Sequence, residues 1–245
     1  MNTFKKVWKK FWVYVWELFK QSIPTLIMFC CASSVLMLLT MKEGEIKWDN
    51  TALTWTIVCG VAASAYAALI MWGYGGNQYE MLVSGNMKRI SAMEYGGEYK
   101  ISSHKEVKEY RAWKGFAIGA FAMIFTFIFG IVFGCCQARI DAGKTSGFLA
   151  VVALLAFFLS GWSILPFYYM NVAGGFSASY FLSLLFAVLP IAVSGAFYII
   201  GAYSRRNKAI REQELADRAA AAEAARPKKI NYGGLPGTKP KKRKK

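Results

Sequence analysis

Apolar positions along this chain gather into five long runs, separated by stretches where charge returns. The runs cover roughly Ile23 to Met41, Ala52 to Trp72, Gly115 to Cys135, Gly147 to Met170 and Tyr180 to Tyr203. Each is near or above the about 20 residues that a helix needs to cross a bilayer. All are much longer than the roughly 10-residue strands of a membrane barrel. A helix also satisfies its own backbone amides inside hydrocarbon, which an open strand cannot do. From Thr145 to Ser204 there is no Asp, Glu, Lys, Arg or His. The pattern predicts an all-α fold, a polytopic integral membrane helical bundle over residues 23–204. Trp55, Trp72, Trp113, Tyr168, Tyr169, Tyr180 and Tyr203 sit near run ends, where amphipathic rings favour the headgroup layer. Pro24 falls in the first turn of the first run, a position where its missing amide hydrogen costs little.

Outside the runs the pattern changes. Phe4, Val7, Trp8, Phe11, Trp12, Val15, Trp16 and Phe19 recur at helical spacing, while Lys5, Lys6, Lys9, Lys10 and Glu17 fall largely on the other side. An aromatic face opposite a lysine face predicts an amphipathic interfacial helix over residues 1–22, cations toward anionic headgroups. Residues 74–114 form a cytoplasmic insertion. Within it Ser103 and Glu106 make a capping box, opening a helix that runs into the third span. His104, the only histidine, reads as a solvated residue there. Residues 205–226 are alanine-rich with mixed charge and predict a soluble helix ending near Pro227. Residues 227–245 carry glycine, proline and a polycation, and predict a disordered polybasic tail.

Charge fixes orientation and then conflicts with it. The chain carries a formal net charge of +16. Five lysines precede the first span, and seven basic residues lie in the second loop, from Lys88 to Lys114. The first and third loops are nearly balanced, so the N-terminus and the second loop are expected on the cytoplasmic side. Five crossings would then export the segment from Arg205 onward, which holds fourteen Lys and Arg against four acids. Either that basic tail leaves the cytoplasm or one apolar segment fails to span. The stretch from Leu165 to Phe176, and Pro190, offer places for a broken or re-entrant helix. A cytoplasmic C-terminus is the preferred reading, in the plasma (inner) membrane of a bacterium.

Candidate chemistry is sparse. Gly73-Tyr74-Gly75 shares three letters with potassium-channel filters, but Met71-Trp72 precede it where a filter has Thr-Val. The triplet closes a full-length run, so the expected role of its glycines is a helix C-cap. A single histidine excludes most metal and triad constellations, and no phosphate-binding glycine loop is present. The five cysteines lie in or beside apolar runs and read as packing residues. The first run has no small-residue cleavage site, so no removable leader is expected. No cofactor is expected, and the chain reads as no enzyme.

Two sets of residues remain as candidates. Lys5, Lys6, Lys9 and Lys10, with Lys239, Lys241, Lys242, Arg243, Lys244 and Lys245, would bind anionic partners: anionic lipid headgroups, ribosome or RNA, or an acidic protein. Gly60 with Ser64, Gly115 with Gly119, and Gly130 with Gly134 are small pairs spaced for close helix approach, within the bundle or in a homo-oligomer or complex. The expected function is a non-catalytic membrane scaffold or assembly factor presenting a basic cytoplasmic surface. In general layout this resembles membrane insertases with basic ribosome-facing tails, although no charge lies in these spans where an insertase groove carries one. The alternative is a transporter or channel component for a neutral or lipidic solute, beside Pro166 and Pro190.

Overall fold

The computed structural model describes residues 2–42, 45–46, 50–85, 108–142, 147–172 and 177–225. Among these, nearly everything is helix. The order is α1 (Asn2–Thr40), β1 (Met41–Lys42), β2 (Glu45–Ile46), α2 (Asn50–Ser84), α3 (Lys114–Ala122), α4 (Ile124–Asp141), α5 (Gly147–Val172) and α6 (Leu182–Ala225). The strands form one antiparallel pair, Met41 opposite Ile46 and Lys42 opposite Glu45, in the connection between α1 and α2.

Four helices are each long and apolar enough to cross a membrane, and α3 with α4 makes a fifth candidate bent by 52°. Their outward faces carry large apolar side chains. Val61, Leu69, Phe148, Leu185 and Leu189 are all more than half exposed. A contiguous apolar surface on this scale is stable only against lipid or another apolar partner. The chain is an integral membrane protein.

The interior is built in three layers. At one end Leu18, Met71, Ile118 and Tyr198 pack together. In the middle Phe29, Ala63, Ala67, Met123, Trp162 and Ala187 form the second cluster. At the other end Leu36, Met37, Phe133, Ile140, Tyr169 and Tyr180 belong to the third. The small residues Ala63, Ala67, Ala122 and Ala187 let the helices close around the indole of Trp162.

Helix bounds differ from the sequence pattern in physically instructive ways. α1 is one helix of 39 residues, with Pro24 inside it rather than in its first turn. At about 1.5 Å per residue it is roughly 58 Å long, nearly twice the about 30 Å hydrocarbon thickness. α2 runs straight through Gly73-Tyr74-Gly75 to Ser84, so the glycines do not cap it. The left-handed residue at its end is Gly85, with φ of 61°. α6 continues through Pro190, and the second half of α5 continues through Pro166. The break in α5 falls at Ser160 instead, whose φ of −138° and ψ of 18° leave the helical region.

The chain divides into two units, Met1–Arg205 and Arg206–Lys245. In the second, the helical residues through Ala225 are exposed throughout, and Lys208 pairs with Glu212 at 3.8 Å one turn on. The capping box at Ser103 and Glu106, His104 and the tail from residue 226 lie outside the described residues, but residues 108–113 are turn, bend or irregular, so no helix of the insertion runs continuously into α3, which starts at Lys114.

Candidate functional site

One face of the N-terminal part of α1 is turned away from the bundle, while Tyr14 on the other side lies under Arg111 at 5.7 Å. Phe4 is 74% exposed, and Trp8, Phe11, Trp12 and Trp16 are each more than half exposed. Their rings touch one another along the helix: Phe4 stacks on Trp8 at 6.3 Å, and Trp8 meets Trp12 edge-on at 5.9 Å. Lys5, Lys9 and Lys10 are exposed on the same stretch. Lys9, Trp12, Val13 and Trp16 line a shallow open recess. Lys20 lies over the Trp16 ring at 5.6 Å and pairs with Glu17 at 3.3 Å. The side chain of Lys6, and Lys239, Lys241, Lys242, Arg243, Lys244 and Lys245, lie outside the described residues.

The small-residue pairs of the third apolar run meet α6. A Cβ on Gly115 would fall 2.5 Å from Tyr198 Cβ, and one on Gly119 would fall 2.9 Å from Ser194 Cβ. A Cβ on Gly130 would come within 2.8 Å of Ser183 Oγ, and one on Gly134 within 2.6 Å of the Phe181 ring. These four glycines therefore form an antiparallel ladder down α6, inside one chain. Gly60 faces Trp162 at 4.0 Å, and Ser64 is half-buried on the same helix. The tightest crossing lies elsewhere, between α2 and α6. There a Cβ on Gly75 would fall 1.9 Å from the Tyr198 carbonyl oxygen, and one on Gly201 2.1 Å from that of Trp72.

Beside this crossing sits a polar node. Gln78 Oε1 accepts from Tyr198 Oη at 2.6 Å and from Lys114 Nζ at 3.3 Å. Gln78 Nε2 donates to Gln21 Oε1 at 3.0 Å, so one side chain ties together α1, α2, α3 and α6. Lys114 is fully buried and also donates to the Glu109 carbonyl. Tyr110 stacks on Tyr198 at 5.3 Å, and its amide donates to the Gln78 carbonyl at 3.2 Å. Burial, with Tyr203 nearby, pushes the Tyr110 phenol above its ordinary value, so it stays neutral at physiological pH. Arg205 reaches Glu80 at 3.0 Å on the surface next to the node. Buried charge is costly unless it is paired and hydrogen-bonded, and the node supplies that environment.

A second polar arrangement lies at mid-bundle, where α5 breaks. Backbone groups freed inside hydrocarbon need partners from protein. Here α1 provides them. Ser33 Oγ accepts from the Trp162 amide at 3.3 Å, Ser34 Oγ donates to the Phe158 carbonyl at 3.3 Å, and the Cys30 thiol reaches the Leu159 carbonyl at 3.7 Å. Ser160 and Ser163 bond back to Ala156 and Ser160 carbonyls at 3.0 Å each. All five cysteines are free thiols, and no group of three His, Cys, Asp or Glu side chains suited to a metal occurs among the described residues.

Sequence reasoning placed Lys114 among the loop cations, read Cys30 as packing, and expected Ser33 and Ser34 to hydrogen-bond to their own or a neighbouring helix, without naming the fourth run as the partner of these three. The signal for the second set was present: a Cys-Cys-Ala-Ser-Ser string, Cys30 to Ser34, in one run and Ser-Gly-Trp-Ser, Ser160 to Ser163, in another. No protein-family model, curated protein or solved structure matches this chain.

Proposed function

We propose that this protein is a non-catalytic membrane scaffold or assembly factor whose cytoplasmic face recruits anionic partners. The observation that carries the reading is the exposed face of α1 from Phe4 to Trp16, where Phe4, Trp8, Phe11, Trp12 and Trp16 are each more than half exposed, while Tyr14 on the other side meets Arg111. Tryptophan and phenylalanine on a helix flanked by lysines match the boundary between acyl chains and acidic headgroups. The about 27 Å of helix ahead of Lys20 exceeds what the hydrocarbon can hold beside a full span. Pro24 removes one backbone donor near the boundary, and Ser22 Oγ bonds to the Phe19 carbonyl at 2.7 Å; both features favour a bend there. Such a bend lays the stretch along the leaflet surface. The polybasic tail adds a second contact for acidic lipid, ribosomal RNA or an acidic protein surface.

Transport of a neutral or lipidic solute has less support. α5 and α6 pass through Pro166 and Pro190 without breaking, and the Gln78 end is closed by glycine-mediated contact of α2, α3 and α6.

The test uses the full chain in nanodiscs, mixed with vesicles of acidic or zwitterionic lipid and, separately, with ribosomes. Binding to acidic vesicles is expected to fall when salt rises from 50 to about 300 mM, since screening shortens to below about 10 Å. Lys5, Lys6, Lys9 and Lys10 changed to Gln should weaken vesicle binding, and removal of Lys239 to Lys245 should weaken whichever partner the tail prefers. Equal binding to acidic and zwitterionic vesicles, or solute flux through the reconstituted protein, would remove the reading.

A further inference from the structure

We infer that the chain crosses the membrane four times, not five, because α5 is a re-entrant hairpin that enters and leaves through one face. By length and apolarity alone α5 qualifies as a span, at 26 residues. Its contacts describe a different path. Phe157 and Tyr168 are eleven positions apart, which is about 16 Å of rise in a straight helix. Their ring centroids are 5.1 Å apart. The segment therefore doubles back between them, at the non-helical Ser160.

α1 serves as a ruler for depth. The first half of α5 descends toward its middle: Leu149 and Ala153 pack in the cluster of Leu36 and Met37, and Leu159 meets Cys30. At the turn, Trp162 lies against Ser33 and against the Phe29 ring at 5.1 Å. The second half then climbs back, since Phe167 and Tyr169 rejoin the cluster of Leu36 and Met37. Cys30 is nine residues from Gln21 and ten from Thr40, so the turn sits about 15 Å from either end of the α1 span. That is the middle of an about 30 Å hydrocarbon layer.

The return is sealed at the Thr40 end. Asn171 donates to the Ala178 carbonyl at 2.8 Å and accepts from the Ala178 amide at 2.7 Å. Gln137 of α4 donates to that same carbonyl at 3.0 Å. Phe133 of α4 touches both Phe157 and Tyr180, at 5.7 and 5.4 Å. α6 then starts beside Gly134, and its Tyr198 and Arg205 reach Gln78 and Glu80 at the opposite end, a full crossing. The bent pair α3 and α4 crosses fully as well, since its glycines follow α6 from Tyr198 to Phe181.

Four crossings remove the conflict in charge. The N-terminal lysines, the second loop and the chain leaving at Arg205 share the Gln78 face. The Thr40 face keeps only the nearly neutral loops that carry Lys42, Lys47, Arg139 and Lys144 with their acids. This distribution satisfies the positive-inside rule at every connection. The three α1 side chains bonded to α5 backbone at the turn explain how irregular backbone survives at mid-membrane depth, because it is buried in protein. The inference goes beyond the proposed function and holds whatever the basic face binds.

Single cysteines introduced at Ala142, Ser177, Ser84 and Asn207 in the full chain, labelled with a membrane-impermeant maleimide, test it. All four positions are exposed, and the unmodified chain gives the background from the native thiols. Ala142→Cys and Ser177→Cys are expected to react from one side only, and Ser84→Cys with Asn207→Cys only from the other. Labelling of Ala142→Cys and Ser177→Cys from opposite sides would overturn the inference. Reporters fused ahead of Met1 and after Lys245 give an independent reading. The same side for both is expected, and opposite sides would overturn the hairpin too. Loss of vesicle or ribosome binding with this labelling pattern intact would count against the proposed function alone.

Discussion

Glycines two positions apart in one string have opposite roles here, and their neighbours decide which. Gly75 lies where α2 touches the backbone of Tyr198, so an added methyl meets a carbonyl oxygen that cannot move aside. Gly73, two positions earlier, has nothing within 4 Å of an added Cβ. Gly75→Ala is therefore expected to destabilise by about 1–3 kcal/mol, the usual range for overpacking. Gly73→Ala should be neutral or stabilise by up to about 1 kcal/mol, through helix propensity. Melting in a single detergent would separate them, and equal shifts would show that the crossing is looser than described. This residue-scale distinction was not legible in the sequence. A glycine ending a helix and a glycine at a helix crossing both lack a Cβ, and only the partner helix tells them apart. Lys114 was misjudged for the same reason: a lysine at a run boundary reads as solvated until Gln78 and the Glu109 carbonyl are placed around it.

For the helices, apolar periodicity gave existence and approximate position but not direction. Four of the five runs fall within crossing elements, while the fourth run folds back at Ser160. Hydropathy counts residues and is blind to a reversal, so a 26-residue hairpin and a 26-residue span look alike. Proline was the expected breaker, yet Pro166 and Pro190 are carried inside helices, and the break falls where α1 supplies polar partners. The hydroxyl of Ser33 should accordingly matter more than that of Thr56, which among the described residues bonds to Ala52 in its own helix. Ser33→Ala leaves the Trp162 amide without its acceptor and is expected to cost about 1–3 kcal/mol. Thr56→Ala should cost little. Hydrogen exchange at the Trp162 amide gives the specific readout: it should quicken in Ser33→Ala and stay unchanged in Thr56→Ala. Unchanged exchange in both would mean that the hairpin turn is held by packing alone.

At the scale of the whole molecule, charge and topology constrain each other. The parity conflict in the sequence was the one global signal that an apolar run does not cross, and it was visible without coordinates. What sequence could not supply was which run, since that depends on side chains brought together from positions over 120 residues apart, such as Ser33 and Trp162. A consequence follows for the tail. With four crossings, the five lysines before the first span and the seven basic residues of the second loop already outnumber the four basic residues of the opposite loops. Orientation is then set without residues 226–245, because charges near the spans dominate the rule. Deleting that tail is expected to leave Ser84→Cys reactive on the same side while lowering salt-sensitive binding to acidic partners. A chain that inverts on losing its tail would show that the polycation acts as the topological anchor, and that the face it decorates is chosen by insertion rather than by binding.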